Sequence, residues 1–224
     1  MRMRKKKHGD ERINACSRFL VQNPSELTDD AQRDFPEKRL LALEIGCGKG
    51  SFAVGTSKAH PDINLIAVEK ISDVAVTALE RAAKTEGERP DNLRFMIGDA
   101  KDICALFPDS SVDIIYINFC DPWPKKGHTK RRLTYRGFLE MYRRILKDGG
   151  MLIFKTDNTG LFDFSLEEFE ALGLDVVWQT RDLHAETNEY AKNNVVTEYE
   201  ANFSSKGFPI CSAHVRFSGS KENA

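Results

Sequence analysis

The stretch Leu40-Leu41-Ala42-Leu43-Glu44-Ile45-Gly46-Cys47-Gly48-Lys49-Gly50 decides the fold class of this 224-residue chain. Its first half is almost entirely apolar and predicts a buried strand, and its alternate glycines predict a tight turn after that strand. A helical pattern follows from Ser51 to about Ala59. Strand, glycine turn and helix in this order are typical of the first unit of an open α/β sheet.

The same alternation of apolar runs and amphipathic stretches continues to the end of the chain. The further strands that we predict are Ile63–Val68, Leu93–Ile97, Val112–Phe119, Met151–Lys155, Asp175–Thr180, Val196–Phe203 and Ala213–Phe217. The helices predicted between them are Ser72–Glu86, Ala100–Phe107, Tyr135–Leu146 and Phe162–Leu172. Continuous apolar strands separated by helices predict a doubly wound, Rossmann-like α/β fold, with a mostly parallel seven-stranded sheet and helices on both faces.

Composition narrows the class of protein. Apolar residues make up 41% and charged residues 30% of the chain, which is typical of a globular protein. No apolar run is long enough for a transmembrane helix, and the basic N-terminus lacks the apolar region of a secretory signal, so we expect a cytoplasmic protein. The five cysteines and five histidines are dispersed, which predicts neither a disulfide framework nor a metal site.

The net charge of -1 conceals two basic segments. Residues 1–12 contain six Lys or Arg against two acidic residues, and residues 121–147 contain nine against two. Basic segments on an acidic body suggest a polyanionic partner, although a solvated tail and a lysine-rich helix would show the same charges. We predict that residues 1–36, interrupted by Asn23-Pro24 and Phe35-Pro36, form a basic N-terminal arm and that residues 37–224 form a single domain.

The glycine turn is the candidate cofactor site, because ligands of open α/β sheets bind at the carboxyl ends of the strands. Its spacing is G-x-G-x-G, at Gly46, Gly48 and Gly50, whereas a dinucleotide fingerprint requires G-x-G-x-x-G. Glu44 precedes the first glycine by two residues, where a carboxylate would repel a pyrophosphate and would suit an ammonium group. These features disfavour a dehydrogenase.

Two more carboxylates follow the next two strands. Glu69 ends the second strand and could accept both ribose hydroxyls. Asp99 follows the third strand and could accept from an adenine amino group, while a backbone N–H at Ala100 serves a ring nitrogen. Each acid alone is also typical of a helix N-cap. Together with Glu44 they describe a nucleoside with an amino-acid tail and no phosphate, which fits S-adenosylmethionine.

The fourth strand is followed by Asp121-Pro122-Trp123-Pro124-Lys125-Lys126-Gly127-His128-Thr129-Lys130-Arg131-Arg132. The two prolines predict a rigid loop that leaves the sheet and holds Asp121 at its edge. The chain here resembles the tRNA (guanine-N7-)-methyltransferases, the bacterial TrmB-like family that methylates guanosine 46 in the variable loop of tRNA. The matching segments are Leu43–Phe52, Ile66–Glu69, Thr77–Glu80, Asn92–Ala100, Asn118–Leu133, Lys155–Asn158 and Thr197–Glu200 with Phe203.

This resemblance implies roles for individual residues. It implies that Asp121 lines the cofactor pocket with Glu44, Glu69 and Asp99. We expect Asp121 to be catalytic because of its position and its negative charge. The residues that it implies for guanine binding are Lys125, Asp157, Thr197, Glu198, Tyr199 and Glu200, and those for the RNA are Gly127, His128, Thr129, Lys130, Arg131 and Arg132. Family members usually carry arginine at the position of Gly127, so we expect one RNA contact to be weaker here. They often carry serine at the position of Cys120, where we expect little change.

The resemblance implies a partner, tRNA, and a methyl transfer from S-adenosylmethionine to guanine N7. That nitrogen has a free lone pair, so no general base is required and orientation dominates the rate. Two alternatives remain open: an N7 methyltransferase of another RNA, and a non-catalytic tRNA-binding protein on the same scaffold. No obligate protein partner is indicated, and we expect a monomer or a homodimer.

Overall fold

The computed structural model describes residues 6–85 and 90–218. Its α-helices are α1 Gly9–Ala15, α2 Ser51–Ala59, α3 Ser72–Ala83, α4 Ala100–Ile103, α5 Arg136–Ile145, α6 Thr159–Ala171, α7 Glu189–Lys192 and α8 Glu198–Ser204. Its strands are β1 Leu40–Ile45, β2 Ile63–Glu69, β3 Leu93–Ile97, β4 Val112–Asn118, β5 Leu146–Thr156, β6 Asp175–Thr180 and β7 Cys211–Phe217. No helix within the described ranges is long and apolar enough to cross a membrane.

The chain divides into two compact units, and the first is Met1–Pro108. In this unit β2 pairs in parallel with β1 on one side and with β3 on the other. The three strands are buried because their apolar runs leave few polar side chains to face water. Their parallel direction brings the ends of β1, β2 and β3 to the same edge, which is the edge where the glycine turn lies.

Residues between Lys6 and Phe35 pack against the strands and helices of the first unit, to which they belong. The Arg12 guanidinium donates to both carboxylate oxygens of Glu80 on α3, at 2.7 and 2.8 Å, and Phe19 and Phe35 are buried in the core. The basic residues Arg2, Arg4 and Lys5 lie outside the described residues, and the boundary at residue 36 stays a prediction.

The second unit is Asp109–Ala224, and its sheet is mixed. Strand β4 pairs in parallel with β5, whereas β7 pairs antiparallel with both β5 and β6. Strand β5 begins at Leu146, so residues 147–150, which lie between the predicted helix and the predicted strand, belong to the strand. Gly149 has a φ of +75°, a backbone conformation that glycine adopts at little cost.

The seven strands have the order β3-β2-β1-β4-β5-β7-β6, and the predicted α/β fold class is confirmed. The predicted strand Val196–Phe203 is wrong, because residues 198–204 form helix α8. Thr197 begins that helix with a capping box: its side chain accepts from the Glu200 N–H, and the Glu200 carboxylate accepts from the Thr197 N–H. The Thr-x-x-Glu spacing is a helix-start signal that outweighs the β-branched residues before it.

Candidate active site

The glycine turn after β1 has a backbone conformation that favours glycine, and open space lies beside two of its three glycines. Gly46, Gly48 and Gly50 have φ angles of +85°, +57° and +73°, in the region that favours glycine. A Cβ atom at Gly46 or Gly48 would have no neighbour within 4 Å, whereas one at Gly50 would lie 2.7 Å from the Cβ of Ala78 on α3. Gly50 therefore allows the turn to pack on α3, while the other two leave room for a ligand.

Glu69 ties the glycine turn to the end of β2. Its Oε2 accepts from the Gly48 N–H at 3.0 Å, and its Oε1 accepts from the Ile71 N–H at 2.8 Å. Glu44 is almost fully buried at the end of β1. Burial, assisted by the charges of Glu44 and Glu69, holds the pKa of the Cys47 thiol well above its usual value. Both carboxylates therefore lie close to Cys47 in the turn.

Asp99 joins this group through the start of α4. Its Oδ1 caps the helix by accepting from the Lys101 N–H at 3.1 Å, and its Oδ2 accepts from the Lys70 ammonium at 2.5 Å. The bond from Lys70, followed by that from Lys101, lowers the pKa of the Asp99 carboxyl. The adjacent Ala100 is buried. Asp99 is thus the N-cap of α4, as an acidic residue after a strand often is. A ligand amino group that bound its carboxylate would share it with Lys70.

The residues of the first unit fit S-adenosylmethionine. Open space over Gly46 and Gly48 borders the half-buried Glu69 carboxylate, which has lone pairs available for hydroxyl groups beyond its two backbone bonds. The negative charges of Glu44, Glu69 and Asp99 match a ligand that carries an ammonium, hydroxyls and an amino group but no phosphate.

The loop after β4 contains two residues in an unusual backbone conformation. Phe119 and Trp123 have φ angles of +53° and +41°, which cost bulky side chains of order 1–3 kcal/mol each. The Phe119 N–H donates to the Lys155 carbonyl at 2.8 Å, so the loop starts from a fixed point on β5. Asp121 is exposed between the two aromatic residues. Burial, together with the Asp121 charge, raises the pKa of the Cys120 thiol to about 12.

The basic run after this loop forms a 3-10 helix over Lys126–Arg131. The side chains of Lys130 and Arg131 are exposed, and the Arg131 guanidinium carbon lies 5.0 Å from the centre of the Trp123 ring. The His128 ring meets Trp123 edge-on at 5.5 Å. Arg132 differs from its neighbours because its guanidinium donates to the backbone carbonyls of Pro122 and Trp123.

Asp157 and Tyr199, to which the resemblance gives a guanine-binding role, lie in contact in the second unit. The Tyr199 hydroxyl donates to Oδ2 of Asp157 at 3.5 Å. The Tyr199 ring is 44% exposed and stacks on Phe203 at 4.3 Å, with Phe119 tilted against it at 4.9 Å. An exposed aromatic ring beside a carboxylate offers a stacking surface and a hydrogen-bond acceptor to a planar base.

A buried ion pair lies beneath this surface, and its lysine was missed in the sequence. Lys155 at the end of β5 donates to Oε2 of Glu200 at 2.8 Å and to Oδ1 of Asn194 at 2.8 Å. The Glu200 carboxylate also accepts from Asn194 at 2.7 Å, and the His184 imidazole lies 3.2 Å from it. Glu200 thus has internal partners, and its direct contact with guanine stays a prediction. Lys155 precedes Thr156-Asp157 within a matching segment, but only the fold shows its partner.

The fold and these two groups of residues define an α/β methyltransferase. The family described as "Putative methyltransferase" matches residues 38–213. The chain therefore belongs to this family, the TrmB family of methyltransferases, and its cofactor is S-adenosylmethionine.

Solved structures with the same fold include three methyltransferases of low sequence identity. The 16S rRNA methyltransferase KamB has a TM-score of 0.60 at 12% identity, over 84% of this chain and 94% of that one. The antibiotic-resistance methyltransferase Kmr has a TM-score of 0.57 at 16% identity, over 90% and 96%. A 16S rRNA (adenine(1408)-N(1))-methyltransferase from Catenulisporales acidiphilia has a TM-score of 0.54 at 14% identity, over 98% and 96%. At these identities they show the fold alone.

Proposed function

We propose that this protein methylates N7 of guanosine 46 in the variable loop of tRNA. The observation that carries the proposal is the loop from Phe119 to Trp123, which presents the Asp121 carboxylate between two residues of positive φ. Strain of this kind collects at functional sites. An exposed basic 3-10 helix follows at once, so a carboxylate and a phosphate-binding surface are adjacent in the same unit.

The cofactor-binding residues of the first unit in this proposal are Glu44, Gly46, Gly48, Gly50, Glu69, Asp99 and Ala100. Glu44 suits the ammonium of the amino-acid tail, and Glu69 accepts the ribose hydroxyls while its bonds to Gly48 and Ile71 hold it in place. Asp99 and the Ala100 N–H serve the adenine. Bound S-adenosylmethionine supplies an electrophilic methyl group.

The chemistry that remains for the protein is orientation and charge. Guanine N7 attacks the methyl carbon through its own lone pair, and the purine gains the positive charge that the sulfonium loses as its bond to that carbon breaks. The carboxylates of Asp121 and Asp157 stabilise that charge, and neither has to remove a proton. Tyr199 stacks on the base. Lys125 is exposed and directly follows residues 119–124, which we call the Asp121 loop. Thr197 and Glu200 contribute by holding the start of α8 against β5, because both are buried and bonded internally.

The test is to incubate the purified chain with S-adenosylmethionine and either tRNA or 16S rRNA, and to analyse the nucleosides by mass spectrometry. We expect N7-methylguanosine from tRNA, without an added partner protein. The Asp121→Asn variant keeps the shape but loses the charge, so its single-turnover rate should fall about 100- to 1,000-fold. Methylation of rRNA in place of tRNA would favour the other RNA substrate, and tRNA binding without methylation would favour the non-catalytic alternative.

A further inference from the structure

Arg132 makes contacts unlike those of the other basic residues in its segment. Its Nε donates to the Pro122 carbonyl at 3.0 Å and its Nη2 donates to the Trp123 carbonyl at 3.2 Å. The guanidinium carbon lies 4.3 Å from the centre of the Phe164 ring on α6. Arg132 is half-buried, whereas Lys130 and Arg131 are exposed. Its guanidinium is thus held between a loop and a helix of its own unit.

The Asp121 loop needs donors from outside itself. Pro122 and Pro124 have no backbone N–H, so two positions of the loop cannot donate a hydrogen bond. Trp123 between them has a φ of +41°, which the surrounding structure must maintain. Arg132 supplies two N–H donors in a fixed planar fork, and it directs them to the two carbonyls that follow Asp121.

We infer that Arg132 is a positioning residue that holds Asp121 in its reactive place, and that it is not primarily a phosphate contact. The inference rests on the proposed function, because it assigns the loop that Arg132 holds to methyl transfer. It replaces the RNA-binding role that the resemblance implies for this residue. Lys130 and Arg131 keep that role.

The substitution Arg132→Lys separates the two roles. A phosphate contact depends mainly on positive charge, which lysine keeps. The contacts of Arg132 with two backbone carbonyls and with the Phe164 ring depend on the planar guanidinium group, which lysine lacks. In single-turnover measurements at saturating cofactor and tRNA, we expect Arg132→Lys to lower the rate about 10- to 100-fold, as small misplacements of reacting groups do. We expect its tRNA dissociation constant to stay within about threefold of wild type, because the charge remains.

A matched control and a second variant sharpen this experiment. Arg143 on α5 also donates to a backbone carbonyl, that of Leu172, at 3.0 Å. It is not among the proposed cofactor-binding, guanine-binding or RNA-binding residues, so Arg143→Lys should keep the wild-type rate. Phe164→Leu keeps Arg132 but removes the ring beneath it, and it should lower the rate in the same direction. A saturating rate for Arg132→Lys within about twofold of wild type would overturn the inference.

Tryptophan fluorescence of the free protein provides a readout that needs no activity. The chain has two tryptophans, so Trp123 can be observed alone in a Trp178→Phe background. We expect Arg132→Lys to raise the acrylamide quenching constant of Trp123 by about twofold, because the loop loses its clamp. An unchanged constant would overturn the inference. If the wild-type protein methylates no tRNA, the proposed function fails, but this quenching result still decides whether Arg132 holds the loop.

Discussion

The Lys155 ammonium donates to the Glu200 carboxylate at 2.8 Å, and only 3% and 0% of the two side chains is exposed. The same ammonium donates to the Asn194 side chain and, at 3.0 Å, to the Val195 carbonyl. Because Glu200 lies in the first turn of α8 and Lys155 at the end of β5, this pair fixes the helix that carries Tyr199 to the strand that precedes Asp157.

Loss of the Lys155 ammonium should destabilise the protein strongly. Lys155→Met leaves the Glu200 carboxylate buried without its cation, which typically costs about 3–5 kcal/mol. Chemical denaturation measures the free energy of unfolding of the variant. The control is Asp163→Asn, which breaks the exposed pair between Arg181 and Asp163 and should cost less than about 1 kcal/mol. Equal small losses for both variants would contradict the structural role of the pair.

Stability should fall as the pH drops below neutral, and His214 should be a cause. Burial, with the Lys155 charge as a second cause, lowers the pKa of the His214 imidazole from 6.5 to about 4. The unfolded chain therefore binds a proton between these values and the folded chain does not, so stability present above pH 6.5 is lost towards pH 4.

The expected loss from His214 is about 2–3 kcal/mol across that range. Urea denaturation at several pH values measures it. His214→Asn should show a flatter dependence than wild type, because the titrating group is gone. Parallel pH profiles for the two proteins would show that other groups cause the loss.

Glu69 should matter for cofactor affinity. The Glu69→Ala variant loses the hydrogen bonds that the carboxylate accepts from the cofactor. S-adenosylmethionine should therefore bind this variant about 10- to 100-fold more weakly than wild type. Calorimetric titration measures the dissociation constant. Glu80→Gln is the matched control, because it changes a carboxylate on α3 that is bonded to Arg12. Wild-type affinity in Glu69→Ala would leave Glu69 as a structural partner of Gly48 and Ile71 only.

Lys130 and Arg131 should bind phosphates. Replacing both with alanine should weaken tRNA binding and reduce the slope of log affinity against log salt by about 0.7–0.9 for each lost contact. Cofactor affinity should stay at the wild-type value. Lys58→Ala, an exposed lysine at the end of α2, controls for the loss of a positive charge elsewhere. A wild-type salt slope in the double variant would mean that these side chains face solvent only.

Local patterns were sufficient to predict most strands and the glycine turn. The apolar run from Leu40 to Ile45 and the three glycines after it specify strand and turn through short-range effects alone. The prediction was wrong between Val196 and Phe203, where β-branched residues suggested a strand and the capping box of Thr197 and Glu200 was overlooked.

Tertiary contacts explain what the sequence could not reveal about the site. The partners of Lys155 lie 39 to 45 residues further along the chain, and no local pattern records that distance. Arg132 has the same charge as Arg131, and only the positions of the Pro122 and Trp123 carbonyls distinguish their contacts. Charge patterns identify a basic segment, but they do not show which of its members bond internally.

Mapping the methylated nucleotide in tRNA tests the proposed activity most directly. After incubation with the protein and S-adenosylmethionine, tRNA is reduced with borohydride and cleaved with aniline, which breaks the chain at N7-methylguanosine. We predict one new cleavage at position 46, and none in a tRNA with adenosine at that position or after incubation with Asp121→Asn for a few wild-type turnover times. Cleavage at another guanosine, or none at all in a tRNA that the protein binds, would contradict the proposed function.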